Sequence, residues 1–148
     1  MEHNKKMNKK LMFSSKSNEW STPQDFYYKL EKEFDFTLDP CATQENTKCI
    51  YYYTKKDNGL IQDWKNERVF CNPPYGREIK HWVKKCYDER NNAKIIVMLL
   101  PARTDTKYFH NYIYHKAEIR FIKGRLKFGD CKNPAPFPSM LVIFRRNN

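Results

Sequence analysis

The sequence predicts an α/β domain with a largely parallel sheet and an antiparallel C-terminal edge. Three observations predict it. Ile95 to Leu100 is apolar on both faces, the pattern of a central strand covered on both sides. Upstream and downstream of it, short apolar runs alternate with helical patterns. The last three runs, Ile119 to Phe121, Leu126 to Phe128 and Met140 to Phe144, have no helix between them and read as the antiparallel edge.

Each element has its own signal. Thr22-Pro23-Gln24-Asp25 reads as a helix start, with Thr22 as the cap and Pro23 in the first turn. Phe26, Leu30 and Phe34 then recur every four residues on one helical face. Phe36-Thr37-Leu38 is a short strand that ends at Asp39-Pro40-Cys41-Ala42, and the Tyr-rich Cys49 to Thr54 is a second. Asn58-Gly59 marks a turn. Val69-Phe70-Cys71 is a third strand and runs directly into Asn72-Pro73-Pro74-Tyr75-Gly76. Ile79, Trp82, Val83, Cys86 and Tyr87 are spaced i, i+3, i+4, i+7, i+8, an amphipathic helix that Asn91-Asn92 ends. Asp105 to Tyr114 reads as helical.

A chain of 148 residues makes one domain, and its 40% hydrophobic and 16% aromatic content is enough for a packed core. The longest strongly apolar run, Ile95 to Leu100, falls far short of the roughly 20 residues of a membrane span. No secretory signal is recognisable, so the expected location is the cytoplasm. The five Cys lack C-x-x-C spacing and read as reduced thiols rather than as a disulfide framework or zinc site.

The net charge of +11 is unevenly placed. Residues 1–17 carry five Lys against Glu2 and read as a basic flexible arm. Residues 116–148 hold eight basic and two acidic side chains, whereas 18–115 hold 15 and 14. Basic ends on a near-neutral body suit a polyanion, most simply nucleic acid, although a solvated surface would have the same composition.

Asn72-Pro73-Pro74-Tyr75 carries the clearest chemistry. It lies between a strand and a helix, and in open α/β sheets ligands bind at the carboxyl ends of strands. Each proline fixes its own φ and biases the residue before it towards extended backbone. The Asn72 amide oxygen and the Pro73 carbonyl can then be aimed at one external donor, and an exocyclic amine with two hydrogens suits such a pair. Tyr75 offers a flat face for base stacking. The alternative is a rigid strand-to-helix turn with no chemistry.

The tetrapeptide resembles the signature of amino-methyltransferases that use S-adenosylmethionine. Trp20-Ser21-Thr22-Pro23, Leu38-Asp39-Pro40-Cys41-Ala42, Asp57-Asn58-Gly59-Leu60 through Asp63-Trp64, and Lys123-Gly124-Arg125-Leu126-Lys127-Phe128 extend the likeness. Together they resemble the small bacteriophage and prophage adenine-N(6) DNA methyltransferases, often called Dam-like, over about residues 19–144. The resemblance implies a Rossmann-like methyltransferase fold with helices on both faces of the sheet. It implies a single catalytic domain over 18–148 with no separate target-recognition domain. It also implies S-adenosylmethionine as cofactor, duplex DNA as partner and a target adenine flipped out of the helix.

By the same resemblance, Asn72, Pro73, Pro74 and Tyr75 are the catalytic residues. Thr22, Pro23, Asp39, Pro40, Cys41 and Ala42 are cofactor residues, although no G-x-G accompanies them. Asp57 and Asp63 are rival partners for the ribose or adenine edge of the cofactor, with a loop or capping role as the alternative for each. Accepting both amine hydrogens at Asn72 and Pro73 would localise the nitrogen lone pair, and no metal or His is required. Arg103, on a strand-end loop, and Arg125 and Lys127, alternating with Leu126 and Phe128, are the expected DNA contacts along with Tyr75. Sequence choice falls to loops such as 101–107 and 129–139, to a second subunit in a homodimer, or is loose. Rival readings are an RNA or protein amino-methyltransferase with the same motif, and a non-catalytic DNA-binding module.

Overall fold

A computed structural model describes residues 20–129 and 132–147; the arm expected over 1–17 and Cys131 lie outside the described residues. The chain forms a six-stranded mixed sheet with a few helices. Helix α1 (Gln24–Phe34) leads into β1 (Leu38–Asp39) and β2 (Tyr51–Tyr52). A 3-10 turn (Gly59–Ile61), β3 (Arg68–Cys71), α2 (Ile79–Glu89) and β4 (Ile95–Pro101) follow. A π-helical segment (Phe109–Ile113), β5 (Glu118–Phe121) and β6 (Ser139–Arg145) complete the order.

The strands lie in the order β2-β1-β3-β4-β6-β5. The first four are parallel, with Leu38 beside Tyr51 and Val69, and Arg68 to Cys71 beside Ile95 to Met98. Strand β6 inserts antiparallel between β4 and β5 and pairs with all of Ile95 to Pro101. The antiparallel edge is therefore present, but it is a two-strand edge. Leu126 to Phe128, expected as a strand, is not one. Gly124 turns the chain at a φ of 77°, and the backbone then bonds to loops, Ala135 N–H to Leu126 O and Gly129 N–H to Ser21 O. Phe128 is buried while Arg125 and Lys127 are exposed, so the alternation reports burial without a ladder.

The second strand is also shorter than the Tyr-rich run. Past Tyr52 the Tyr53 N–H still bonds the Asp39 carbonyl, but its own carbonyl accepts from Ala42 N–H, which ties the two loops together beyond the strand ends. Strand β4 is buried at every residue, as an apolar run on both faces demands. Helix α2 buries Ile79, Trp82, Val83 and Cys86, the predicted stripe, but ends at Glu89, before the Asn pair. Helix α1 buries Tyr27, Leu30 and Phe34, with Phe26 only partly covered. The expected third helix covers 107–113, and the Tyr114 N–H bonds the Phe109 carbonyl in π-helical fashion. No described helix is long and apolar enough to cross a membrane.

The topology fixes where a ligand can sit. From β1 the chain moves outward to β2, then returns past β1 to β3 and proceeds the other way to β4. Strand order therefore reverses between β1 and β3. Such a switch point opens a crevice at the carboxyl ends of the two strands. Asp39 ends β1, and Asn72 directly follows β3.

Candidate active site

A cavity of about 430 Å³ opens at these strand ends. That volume falls within the usual range of small-molecule sites, roughly 300–1,000 Å³. Asp39 to Ala42 form one wall, Asn72 to Pro74 another, and Thr22 and Trp82 contribute as well. Three regions far apart in sequence, around Thr22, Asp39 to Ala42 and Asn72 to Trp82, thus meet around one space.

Asn72 is the polar side chain that β3 delivers to it. Its Nδ2 donates to the Trp20 carbonyl and, over 3.0 Å, to Thr22 Oγ1. Its Oδ1 is buried and has no hydrogen-bond partner among the described residues. A buried acceptor left unpaired costs about 1–3 kcal/mol; Tyr108 Oη and Ser139 Oγ are also buried without a partner among the described residues, but of the three only Asn72 lines the cavity. Thr22 therefore does not cap α1 as expected. No side chain caps that helix, and the Thr22 hydroxyl is turned to Asn72 instead.

Asp39 is buried and its carboxylate accepts from the Lys48 N–H (3.2 Å) and the Cys41 N–H (3.4 Å). Burial pushes its carboxyl up to about 6, while the two N–H donors and the Lys48 charge act in the opposite direction. Lys48, whose side chain donates to Gln24 Oε1 at 2.7 Å, has its ammonium pKa lowered by burial and held up by Asp39.

Other expected residues fall elsewhere. Pro23 is not part of the cavity wall; its carbonyl accepts the first bond of α1, from Tyr27 N–H. Asp57 accepts from the Thr54 N–H (2.9 Å) and hydroxyl (3.1 Å), and Asp63 from Lys65 N–H (3.0 Å) and Asn92 Nδ2 (2.7 Å). Both are exposed loop carboxylates outside the cavity wall, the alternative that the sequence left open.

Tyr75 does not present a free face to the cavity. It is 5% exposed, its hydroxyl donates to the Leu99 carbonyl at 3.0 Å, and its ring meets Phe128 and Phe137 edge-on. Its hydroxyl pKa is raised by burial. Arg103, Arg125 and Lys127 are exposed and do not line the cavity. Among the described residues Arg125 donates to the Ala135 carbonyl, at 3.4 Å.

A family model for DNA N-6-adenine-methyltransferase (Dam) matches residues 9–147. This chain belongs to that family. A DNA N-6-adenine-methyltransferase of Haemophilus phage HP1 is 31% identical over 133 residues, 84% of this chain and 77% of the relative. One of Escherichia phage T1 is 37% identical over 109 residues, which cover 72% of this chain but only 45% of the relative. A putative methyltransferase of Escherichia coli K12 is 38% identical over 66 residues, 39% of this chain and 71% of the relative. With the family, the chain is an adenine-specific DNA methyltransferase.

Within this Dam-family site, several cavity residues were not legible as such in the sequence. Gly59 signals only a turn by its Asn58-Gly59 pairing, yet a Cβ there would stand 2.1 Å from the Pro40 carbonyl oxygen and 3.0 Å from the Trp82 ring. The 3-10 turn is thus pressed against the β1 loop, and the Gly59 carbonyl accepts from the indole of the fully buried Trp64 at 3.1 Å. Trp82 reads as core, and it is buried, but it also borders the cavity. Trp20 acts through its carbonyl, which no side-chain pattern can indicate.

Proposed function

We propose that this chain transfers the methyl group of S-adenosylmethionine to the exocyclic amine of adenine in DNA, with the base turned out of the duplex towards Asn72. The unpaired, buried Oδ1 of Asn72 carries this reading. An acceptor held in place at the carboxyl end of a parallel strand suits an N–H donor, and the N6 amine of adenine supplies two.

The cavity suits the cofactor in chemistry as well as volume. Asp39 offers a carboxylate to cationic or hydroxyl donors, while Leu60 and Trp82 offer apolar surface to a ring. Gly59 lets the 3-10 turn approach the Pro40 carbonyl and the Trp82 ring more closely than any side chain would allow. Asp39, Pro40, Cys41 and Ala42 would hold the cofactor with these residues. When bound, S-adenosylmethionine supplies an electrophilic methyl group, so the protein needs to position the amine and exclude water. Asn72 Oδ1 and the Pro73 carbonyl accept the two amine hydrogens, favour a pyramidal nitrogen and stabilise the positive charge that develops there. Extrusion of the base costs a few kcal/mol, offset by contacts in the pocket. Arg103, Arg125 and Lys127 are exposed on described loops, and in this reading they meet phosphates.

The direct experiment incubates the purified protein with duplex DNA and S-adenosylmethionine, then analyses digested nucleosides by mass spectrometry. N6-methyladenine is expected, and Asn72→Ala should lower turnover by on the order of 10²-fold with little change in cofactor affinity. Near-normal methylation by that variant would remove Asn72 from the chemistry. Methylated RNA or protein in place of DNA would overturn the substrate.

A further inference from the structure

We infer that Thr22 is a positioning residue of the methyl-transfer site: with the Trp20 carbonyl it fixes which pole of the Asn72 amide faces the substrate. This inference rests on the reading of Asn72 given above. An asparagine amide has two poles of similar shape, one that donates and one that accepts. A 180° turn about χ2 would put N–H where Oδ1 now lies, and a donor cannot accept an amine hydrogen.

Two hydrogen bonds oppose that turn: the Trp20 carbonyl selects the pole, and the Thr22 hydroxyl, which can accept or donate, anchors the amide at that pole. The Trp20 carbonyl can only accept, so the pole that faces it must be nitrogen. The Thr22 hydroxyl accepts the second Nδ2 hydrogen at 3.0 Å. Both amide hydrogens are then used within the protein, and all remaining capacity of the side chain lies on Oδ1, which is buried and unpaired. Turning the amide over would set Oδ1 against the Trp20 carbonyl, oxygen facing oxygen, and would leave a buried N–H without a partner.

The clamp is itself held from a third part of the chain. The Trp20 ring meets Phe128 and Phe137 edge-on at 5.5 and 5.3 Å, and the Ser21 carbonyl accepts from Gly129 N–H at 2.8 Å. Thr22 is buried, so packing holds its hydroxyl against the Asn72 amide. Residues near the two ends of the domain thus combine to orient a side chain 50 residues from Thr22 in sequence. The hydroxyl has an alternative use, direct contact with the cofactor, because Thr22 also lines the cavity.

The test compares Thr22→Val, which keeps shape and removes the acceptor, with Thr22→Ser, which keeps the hydroxyl. Thr22→Val should lower kcat at saturating DNA and cofactor by about tenfold or more, as removal of one preorganised hydrogen-bonding group does. Its cofactor Kd, from calorimetry, should stay within about threefold, and Thr22→Ser should retain most of kcat. The double variant Thr22→Val/Asn72→Ala should be no slower than Asn72→Ala alone, since a clamp has no effect once the clamped group is gone. Wild-type kcat in Thr22→Val overturns the inference. So does a loss confined to cofactor Kd, which would make Thr22 a cofactor contact. If Asn72→Ala is itself fully active, the reading of Asn72 fails; if only Thr22→Val is, the clamp fails alone.

Asn72→Asp gives a check that leaves Thr22 intact. It keeps size and an acceptor but sets a carboxylate oxygen against the Trp20 carbonyl. The clamp predicts a loss of about tenfold or more in kcat at neutral pH. An Asp variant within about threefold of wild type would show that any acceptor at this position suffices, and would overturn the clamp.

Discussion

The Tyr75 hydroxyl donates to the Leu99 carbonyl across 3.0 Å, which ties the end of the Asn-Pro-Pro-Tyr segment to the central strand β4. Both groups are buried. The tie makes the segment a bridge between two neighbouring strands, and it gives the hydroxyl a role that a stacking ring alone would lack.

Tyr75→Phe is therefore expected to cost stability first. A buried carbonyl that loses its donor costs about 1–3 kcal/mol, which in a domain of this size lowers Tm by a few degrees. Turnover at a temperature where the variant is folded should fall only a few-fold. Tyr75→Ala removes the ring packed on Phe128 and Phe137 as well and should cost about 3–5 kcal/mol. Thermal melts of both variants, with kcat measured in parallel, check this. An unchanged Tm in Tyr75→Phe would show that the bond to Leu99 contributes nothing.

Gly59→Ala should damage fold and site together. The new Cβ would meet a backbone oxygen, Pro40 O, at 2.1 Å, and backbone yields less readily than a side chain. Forced overpacking of this kind costs about 1–3 kcal/mol. Because Pro40 and Gly59 both line the cavity, cofactor affinity should fall by at least tenfold, on the order of 1.4 kcal/mol. Calorimetry with S-adenosylmethionine reads the second effect, and wild-type affinity would show that the 3-10 turn does not shape the cofactor site.

Asp39 predicts a pH dependence with opposite signs for stability and binding. Its folded carboxyl titrates at about 6, above the ordinary 3.8. The folded state therefore holds this proton more tightly than the unfolded chain does. Stability from this group is greatest below about pH 4, declines between about pH 4 and 6, and is level above that. On the proposed role of the Asp39 carboxylate in holding the cofactor, affinity should rise with pH up to about 6, close to tenfold per unit below it, then level off. Asp39→Asn should flatten both slopes and weaken binding throughout, whereas Asp63→Ala should leave the cofactor Kd unchanged. Binding isotherms from about pH 5 to 8 decide it, and a flat wild-type profile would exclude Asp39 from the cofactor.

Deleting residues 1–17 should weaken DNA binding for all sequences alike. The segment holds five Lys, and each phosphate that the shortened chain no longer neutralises should flatten the salt dependence by about 0.9 in log–log slope. The set of methylated adenines should not change, since lysines that meet phosphates read no base edges. Binding measured against salt, with the methylated sites mapped, tests both parts. An unchanged slope would make the segment a solubilising tail, and a changed site preference would move specificity away from the loops at 101–107 and 129–139.

The mostly parallel sheet and its main helices were legible in the residues alone. Ile95 to Leu100 had to be a buried central strand because no polar residue interrupts it, and the spacing of Ile79, Trp82, Val83 and Cys86 left α2 one face to bury. The residues also showed that Asn72 would emerge from a strand end into a stiffened turn, and that Asp39 would close a neighbouring one. Those features are local: periodicity reports which side of an element meets the core, and proline fixes backbone wherever it stands. How the polar groups are shared depends instead on which distant segments pack together. That packing gave Thr22 to Asn72 rather than to the helix it precedes, kept Asp57 and Asp63 in their loops, turned Tyr75 into the core, and made Leu126 to Phe128 a packed loop rather than a strand. Each outcome depends on a partner that packing brings near: Trp20 is 52 residues from Asn72, and Leu99 is 24 from Tyr75. Burial is written into a sequence as a pattern, but a hydrogen bond between distant residues leaves no pattern there, because any donor will serve any acceptor that the fold sets within about 3 Å of it.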